Sequence, residues 1–349
     1  MKKFILLLFI AFLANYKANA NNISGNILPI FKIFSDTNYV YTYPKSFLIS
    51  PFFALRSFSI KLIPSTGRTV TFIPNMSNAY GVNLAYSNFR IQLATKFPDT
   101  QRSIEDKVRS RYTDLNLQMF KRTFILELSY KSISGFIDKD YQKATPTAPE
   151  VFANRDLRTR YIKLNYYHLF SPDKFSLRAA YRLMERQKRS AGSWLLGGNI
   201  TFLSIGAPRP FIEPELRPTF EDYGDTRTMQ VFGLGALGGY AHTFVYKDFF
   251  FTGLLGGGLE LKRGNYEINN ETKTEGFATF VFDARAVLGY NHKNWFAGIN
   301  AQIESNQFRM GNTKGFAYYE TVGFFVGRRI EKDKIFRKKK KDVASVETK

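Results

Sequence analysis

Apolar and polar residues alternate one for one over long stretches of this chain. In "RYIKLNYYHLF", residues 160–170, Ile162, Leu164, Tyr166, His168 and Phe170 share one face, and Tyr161, Lys163, Asn165 and Tyr167 the other. In "FATFVFDARAVLGY", 277–290, Ala278, Phe280, Phe282, Ala284, Ala286, Leu288 and Tyr290 oppose Thr279, Asp283 and Arg285. "WFAGINAQIE", 295–304, sets Trp295, Ala297, Ile299, Ala301 and Ile303 against Asn300, Gln302 and Glu304. The segments 115–119 and 124–130 behave alike, and "FSLRAAYRLMER", 175–186, reads the same way with Arg178, Arg182 and Arg186 on one face. A period of two is the period of a β-strand. The runs reach about ten residues and several begin or end in an aromatic ring, as transmembrane strands do. Strands of a soluble sandwich are nearer five or six residues. The pattern predicts an all-β fold, a single transmembrane antiparallel β-barrel of about 12 strands, within about 10 to 14, over residues 53–330.

"MQVFGLGALGGYAHTFVY", 229–246, has no charged residue and carries Gly233, Gly235 and Gly238. A dinucleotide-binding loop needs a helix after its glycines, whereas the next segment, "FFFTGLLGGGLEL", reads as another strand. A membrane helix fits the length but not the glycines or the alternating neighbours. The stretch is read as a barrel strand with glycines on its inner face, and Gly256 and Gly258 continue that lining on the next strand. Such glycines let the wall bend or make room for large inward groups. Tight turns are expected at Lys121-Arg122, 171–173, Tyr246-Lys247 and His292-Lys293 on the periplasmic side, and longer loops at 134–157, 206–225 and 263–274 outside. The alternation of short and long connections slips phase across 187–192, which a missed strand or an unusual loop would explain.

The ends change the picture in one respect. "MKKFILLLFIAFLANYKANA" has a basic start, a short apolar run from Phe4 to Ala14 and a small-x-small site at Ala18–Ala20, the pattern of a signal peptide cut after Ala20. Residues 21–52 lack clean alternation and are expected to form a periplasmic segment or an inner plug. Residues 331–349, "EKDKIFRKKKKDVASVETK", read as a basic, solvated periplasmic tail. With 35 Phe and 20 Tyr but a mean hydropathy of −0.25, the chain is aromatic and polar at once, as two-faced strands require. It has no Cys, which excludes disulfides and thiolate metal sites.

"DLRTRYIKLNYYHLF", "KFSLRAAY", "QKRSAGSWLLGG", "GYAHTFV" and "GFFVGRRI" resemble an uncharacterised Bacteroidota family of outer-membrane barrels, the domain-of-unknown-function family DUF4421. The resemblance covers about residues 35 to 330 and implies export to the outer membrane of a Gram-negative cell. It supplies no activity. One departure is that "GRRI" is followed by a further segment rather than by a terminal aromatic.

No catalytic, cofactor or metal site is expected. The three histidines show no paired spacing, and no HExxH or GxSxG occurs. The informative chemistry is charge on inward positions: Arg178, Arg182, Arg186, Glu127, Asp283, Arg285, Glu260 and Glu304, with Lys131, Lys163 and Lys262 nearby by parity. These read as a lumen network whose charges neutralise one another, since buried ions must be paired. An arginine-lined path for anions is the alternative. The functions left open are a structural or interaction barrel, a small-solute binding or transport barrel, an anion-preferring porin-like channel and, distantly, a barrel-embedded lipid hydrolase. The formal net charge of +21 points to anionic head groups, so outer-membrane lipids, lipopolysaccharide and the assembly machinery are the expected partners, and nucleic acid is not.

Overall fold

The computed structural model describes residues 35–43, 46–75, 78–86, 88–96, 110–140 and 153–331. The signal peptide expected at 1–20, residues 21–34 of the segment expected at 21–52, and the tail from 332 onward lie outside the described residues.

Two short strands, β1 (Val40–Thr42) and β3 (Val70–Pro74), flank β2 (Ser46–Ile63). Then come β4 (Ala79–Tyr86), β5 (Phe89–Lys96), β6 (Arg111–Phe120), β7 (Phe124–Asp138) and β8 (Ala153–Leu169). A helix, α1 (Leu177–Tyr181), and β9 (Glu185–Gln187) precede β10 (Ala191–Gly206). A 3-10 segment, Pro214–Tyr223, leads to β11 (Thr226–Tyr246), β12 (Phe249–Ile268), β13 (Glu271–Asn291), β14 (Trp295–Met310) and β15 (Thr313–Glu331). Neighbouring strands pair antiparallel, and β15 pairs with β2 from Lys314–Ile63 to Glu331–Ser46, which closes a ring of 12 strands. The molecule is a transmembrane antiparallel β-barrel in which closure leaves no ring strand without two neighbours.

Alternation sorts the faces as expected. Phe232, Leu234, Phe244, Phe249, Leu255, Leu259, Leu261, Phe280, Leu288 and Trp295 are exposed on the outer wall, which is the lipid-facing band. Near the end with the short turns, here the lower end, rings touch around the wall. Trp194 lies 5.0 Å from Tyr240, His242 4.4 Å from Phe244, and Phe249 5.3 Å from Tyr290, between centroids. This is an interfacial girdle of amphipathic rings.

Four features differ from the sequence reading. The ring begins at Ser46, not at 53, because Leu48, Ser50 and Phe52 already alternate inward. Residues 263–274 form no long loop: β12 and β13 run on as a hairpin to Asn269 and Asn270, whose φ values of 49° and 68° make a tight primed turn. Residues 175–186 form no strand of the barrel wall. Ser176 caps α1 by accepting a hydrogen bond from the Ala179 N–H at 3.2 Å, and β9 pairs with β1. The phase slip has its cause here, since 170–190 is one long lower connection folded into the barrel. Finally, β3 pairs with both β2 and β7 above the short strands β4, β5 and β6, so at that level one strand takes the place of three. Gly135, at φ 82°, sits at the register shift where β7 leaves β6 for β3.

The interior is filled in layers. At the upper end Phe211, Ile212, Phe220 and Tyr223 from 207–225 pack on Phe58, Phe72, Phe136, Tyr161, Met229, Tyr266, Phe308 and Tyr319 of the wall. At the lower end Phe175 and Leu177 pack on Phe120, Ile125, Leu195 and Leu254, and Ala180, Leu183 and Met184 on Leu48, Phe250 and Phe296. Polar residues lie between.

Candidate functional site in the lumen

Strand alternation alone points Glu127 and Lys131 of β7, Lys163 of β8, Glu260 and Lys262 of β12, Asp283 and Arg285 of β13 and Glu304 of β14 into the mid-lumen. The centre is Arg285. Its Nε donates to Asp283 Oδ1 at 2.9 Å and its Nη2 to Asp283 Oδ2 at 2.7 Å, while Nη1 donates to Glu127 Oε1 at 2.8 Å. A planar guanidinium matches two carboxylates in this way and an ammonium does not. The Tyr167 hydroxyl donates to Asp283 at 3.1 Å, and Gln118 to Glu127 at 2.9 Å.

Three further clusters continue the lattice. Lys262 Nζ donates to Asn306 Oδ1 at 2.8 Å and to the Gln307 carbonyl at 2.6 Å, and pairs with Glu260 at 2.7 Å. Glu260 also accepts from Asn199 at 2.6 Å and Thr201 at 3.2 Å. Glu304 lies 3.6 Å from Lys131 and 3.8 Å from Lys163. Arg56 pairs with Asp114 at 2.5 Å, and Tyr112 donates to the same carboxylate at 2.8 Å. Among the described residues the lattice therefore balances: Arg56, Lys131, Lys163, Lys262 and Arg285 face Asp114, Glu127, Glu260, Asp283 and Glu304. The inner glycines make room for it. A Cβ on Gly235 would sit 2.2 Å from Asn199 Oδ1 and 2.6 Å from Glu260 Cγ.

Glu127, Asp283, Arg285, Glu260 and Glu304 come together as one region of the lumen. Arg178, Arg182 and Arg186 do not join it, and the strand that would have carried them does not exist. The residues from 175 to 186 include no Val, Ile or Thr; Leu, Arg and Ala there favour a helix. Arg178 on α1 pairs with Glu185 at 3.2 Å, and Arg186 on β9 pairs with Asp248 at 2.5 Å at the lower rim. Arg182, at the C-terminus of α1, is 1% exposed, and none of its guanidinium nitrogens has a hydrogen-bond partner. It is not a paired member of the lattice. Sequence reading missed Arg56, Arg90, Arg122 and Arg329. Inward parity was the signal for Arg56, Arg90 and Arg329. Arg122 lies in a turn, and only its partner Glu185, 3.4 Å away, reveals its role.

The upper cap is tied to the wall by a separate arrangement. Arg68, in the β2–β3 connection, pairs with Asp138 of β7 at 2.8 Å and donates to Glu213 of the cap. Burial and the neighbouring Asp138 carboxylate push Glu213 up to about 7, because one guanidinium is shared between two acids.

The family model described as a domain of unknown function, DUF4421, matches residues 35–327. No curated protein matches the chain. Among solved structures the chain is similar to the outer membrane protease OmpT from Escherichia coli, at 9% identity over 82% of this chain and 97% of that one, with a TM-score of 0.39. It is similar also to the Pseudomonas putida toluene transporter TodX, at 9% identity over 82% and 90%, with a TM-score of 0.27. A third similarity is to the attachment invasion locus protein Ail of Yersinia pestis, at 10% identity over 81% and 99%, with a TM-score of 0.21.

Proposed function

The chain belongs to the DUF4421 family, and from that premise we propose that it is a sealed, non-catalytic outer-membrane barrel that acts through its surfaces rather than as a conduit. In this reading a signal peptide exports it, the lower end with its short turns faces the periplasm, and the cap formed by 207–225 faces outward. Membrane lipids and lipopolysaccharide contact the outer band, and the outer-membrane assembly machinery inserts it.

The observation that carries the reading is closure at three levels. The upper lumen is occupied by the Phe211, Ile212, Phe220 and Tyr223 core, the middle by the charge-balanced lattice, and the lower end by α1 and β9. Two cavities lined by described residues in the lower part of the barrel have volumes of about 30 and 10 Å³, room for about two waters and one. An anion-preferring path needs an excess of positive charge along an open bore, and the middle lattice offers neither. The histidines support the non-catalytic part. His168 and His242 stand in the outer girdle beside Phe170 and Phe244, and His292 of the β13–β14 turn lies 2.9 Å from Asp248 of the neighbouring β11–β12 turn. Proteoliposomes carrying the protein should swell in arabinose no faster than empty ones. Swelling at a rate that scales inversely with sugar size would reject the sealed barrel.

A further inference from the structure

Below the balanced lattice the charge count changes sign. Arg90, Arg122, Arg178, Arg182 and Arg329 gather at the floor, where Glu185 is the one buried carboxylate among the described residues. Glu185 is fully committed. It pairs with Arg178 at 3.2 Å and Arg122 at 3.4 Å and accepts hydrogen bonds from Ser176 and Thr42. Arg329 is satisfied by neutral acceptors, including the Leu183 carbonyl at 2.7 Å, and stacks over Tyr43 at 3.9 Å. Glu127, a lattice carboxylate, is already held by Arg285 and Gln118.

That leaves Arg182 without a counter-ion. Its Nε, Nη1 and Nη2 are all buried and unpartnered, and so is the hydroxyl of the adjacent Tyr181. Both side chains line one chamber of about 30 Å³, together with Arg90, Ser50, Asn83 and Asn300. Arg90 is oriented there by Asn83, to which it donates at 2.8 Å. A buried guanidinium with no acceptor costs more than an unsatisfied neutral donor, and it does not shed its charge as readily as a lysine. Unpartnered donors from neighbouring residues facing one small chamber are the complement of a single acceptor carrying negative charge.

We propose that this chamber holds a small inorganic anion of chloride size, bound by Arg182 and Tyr181 with Arg90 behind, and that the anion locks the floor segment 170–190 into the barrel. A chamber of this volume admits a monatomic anion. Since Tyr181 and Arg182 belong to the inserted segment and Arg90 to β5, the ion joins segment and wall beside the hydrogen bond that Arg90 donates to the Tyr181 carbonyl.

The test uses the full-length protein folded in detergent, with bromide as the probe exchanged for gluconate at constant ionic strength. The midpoint of thermal unfolding should rise with the logarithm of bromide concentration above its Kd, as binding to the folded state alone requires. Arg182→Met, which keeps the volume and removes the donors, should abolish that rise. A midpoint indifferent to bromide in the unaltered protein, or an equal rise in Arg182→Met, overturns the proposal. Should Arg182→Met fail to fold, crystals of the unaltered protein grown in sodium bromide decide the matter. An anomalous peak within hydrogen-bond reach of Arg182 is expected, and its absence there refutes the site. Conductance has no bearing on this outcome, so the sealed-lumen reading and the anion site stand or fall separately.

Discussion

Arg285 illustrates how much of this interior rests on single side chains. It is the one cation that bridges Asp283 and Glu127, both buried, so Arg285→Met leaves two carboxylates facing each other with only the neutral donors Tyr167 and Gln118. Removing one member of a buried pair costs about 3–5 kcal/mol, and the variant should show a matching loss in refolding free energy from urea. Lys131→Met makes an instructive control. Lys131 stands 3.6 Å from Glu304 with its side chain 16% exposed, and Lys163 remains beside the same carboxylate, so about 1 kcal/mol or less is expected. Equal losses in the two variants would show that the lattice is not centred on Arg285. Glu213 gives a prediction in pH. A carboxyl group raised to about 7 by burial and by Asp138 binds its proton more tightly folded than unfolded. Its contribution is full below the unfolded value of about 4.3 and is lost as pH rises through about 7. Hydrogen exchange of the 207–225 amides, corrected for intrinsic rate, should therefore quicken between pH 5 and 8 by about tenfold or less, and Glu213→Gln should flatten the dependence. A profile unchanged by Glu213→Gln would assign the pH response to another group. At this scale the inward identity of Glu127, Glu260, Asp283, Arg285 and Glu304 was legible from parity. Their pairings were not, because Arg285 and Glu127 stand 158 positions apart and only barrel closure sets them side by side.

Among the elements, the long strands were legible because two-faced burial enforces strict alternation, and a slip of one residue would expose the whole inner set. The inserted pieces were not. The segment 175–186 alternates by accident over a short span, and its helix-forming composition was the better guide; its burial inside the barrel removed the solvent-facing stripe by which helices are usually recognised. The hairpin above the membrane band misled in the opposite sense. Arg263, Asn265 and Glu267 on the outer face look like loop residues, yet they are the solvated half of β12, paired with β13 up to the Asn269–Asn270 turn. The cap offers the sharpest test of an element. Phe220 is 1% exposed in the upper cluster, and Phe220→Ala removes a ring from a packed site at a cost of about 3–5 kcal/mol. Because the cap is a connection and not a wall strand, that loss should appear as protease cleavage within 207–225 while the barrel still migrates as a folded, heat-modifiable species. Loss of heat-modifiability in this variant would mean that the cap is needed to hold the ring itself.

For the whole molecule, the distribution of charge matters more than its sum. The formal net charge of the whole chain is +21, yet the mid-lumen lattice is neutral, so the excess is carried outside it. Screening at high salt should weaken association with anionic vesicles, since exposed charges interact over about 8–10 Å at ordinary ionic strength, while leaving the lattice unaffected. In the proposed function, closure is the property that separates this barrel from a pore of equal strand number: about 12 strands enclose a bore, and here side chains and two inserted segments pack within it. The central claim is thus a physical one, that no continuous water path crosses the molecule, and current through a single barrel measures it most directly. Purified full-length protein in a planar bilayer, at about 1 M potassium chloride so that counter-ions are plentiful, should give no stepwise conductance across a range of voltages. Stable, reproducible single-channel steps, whatever their selectivity, would contradict the sealed barrel.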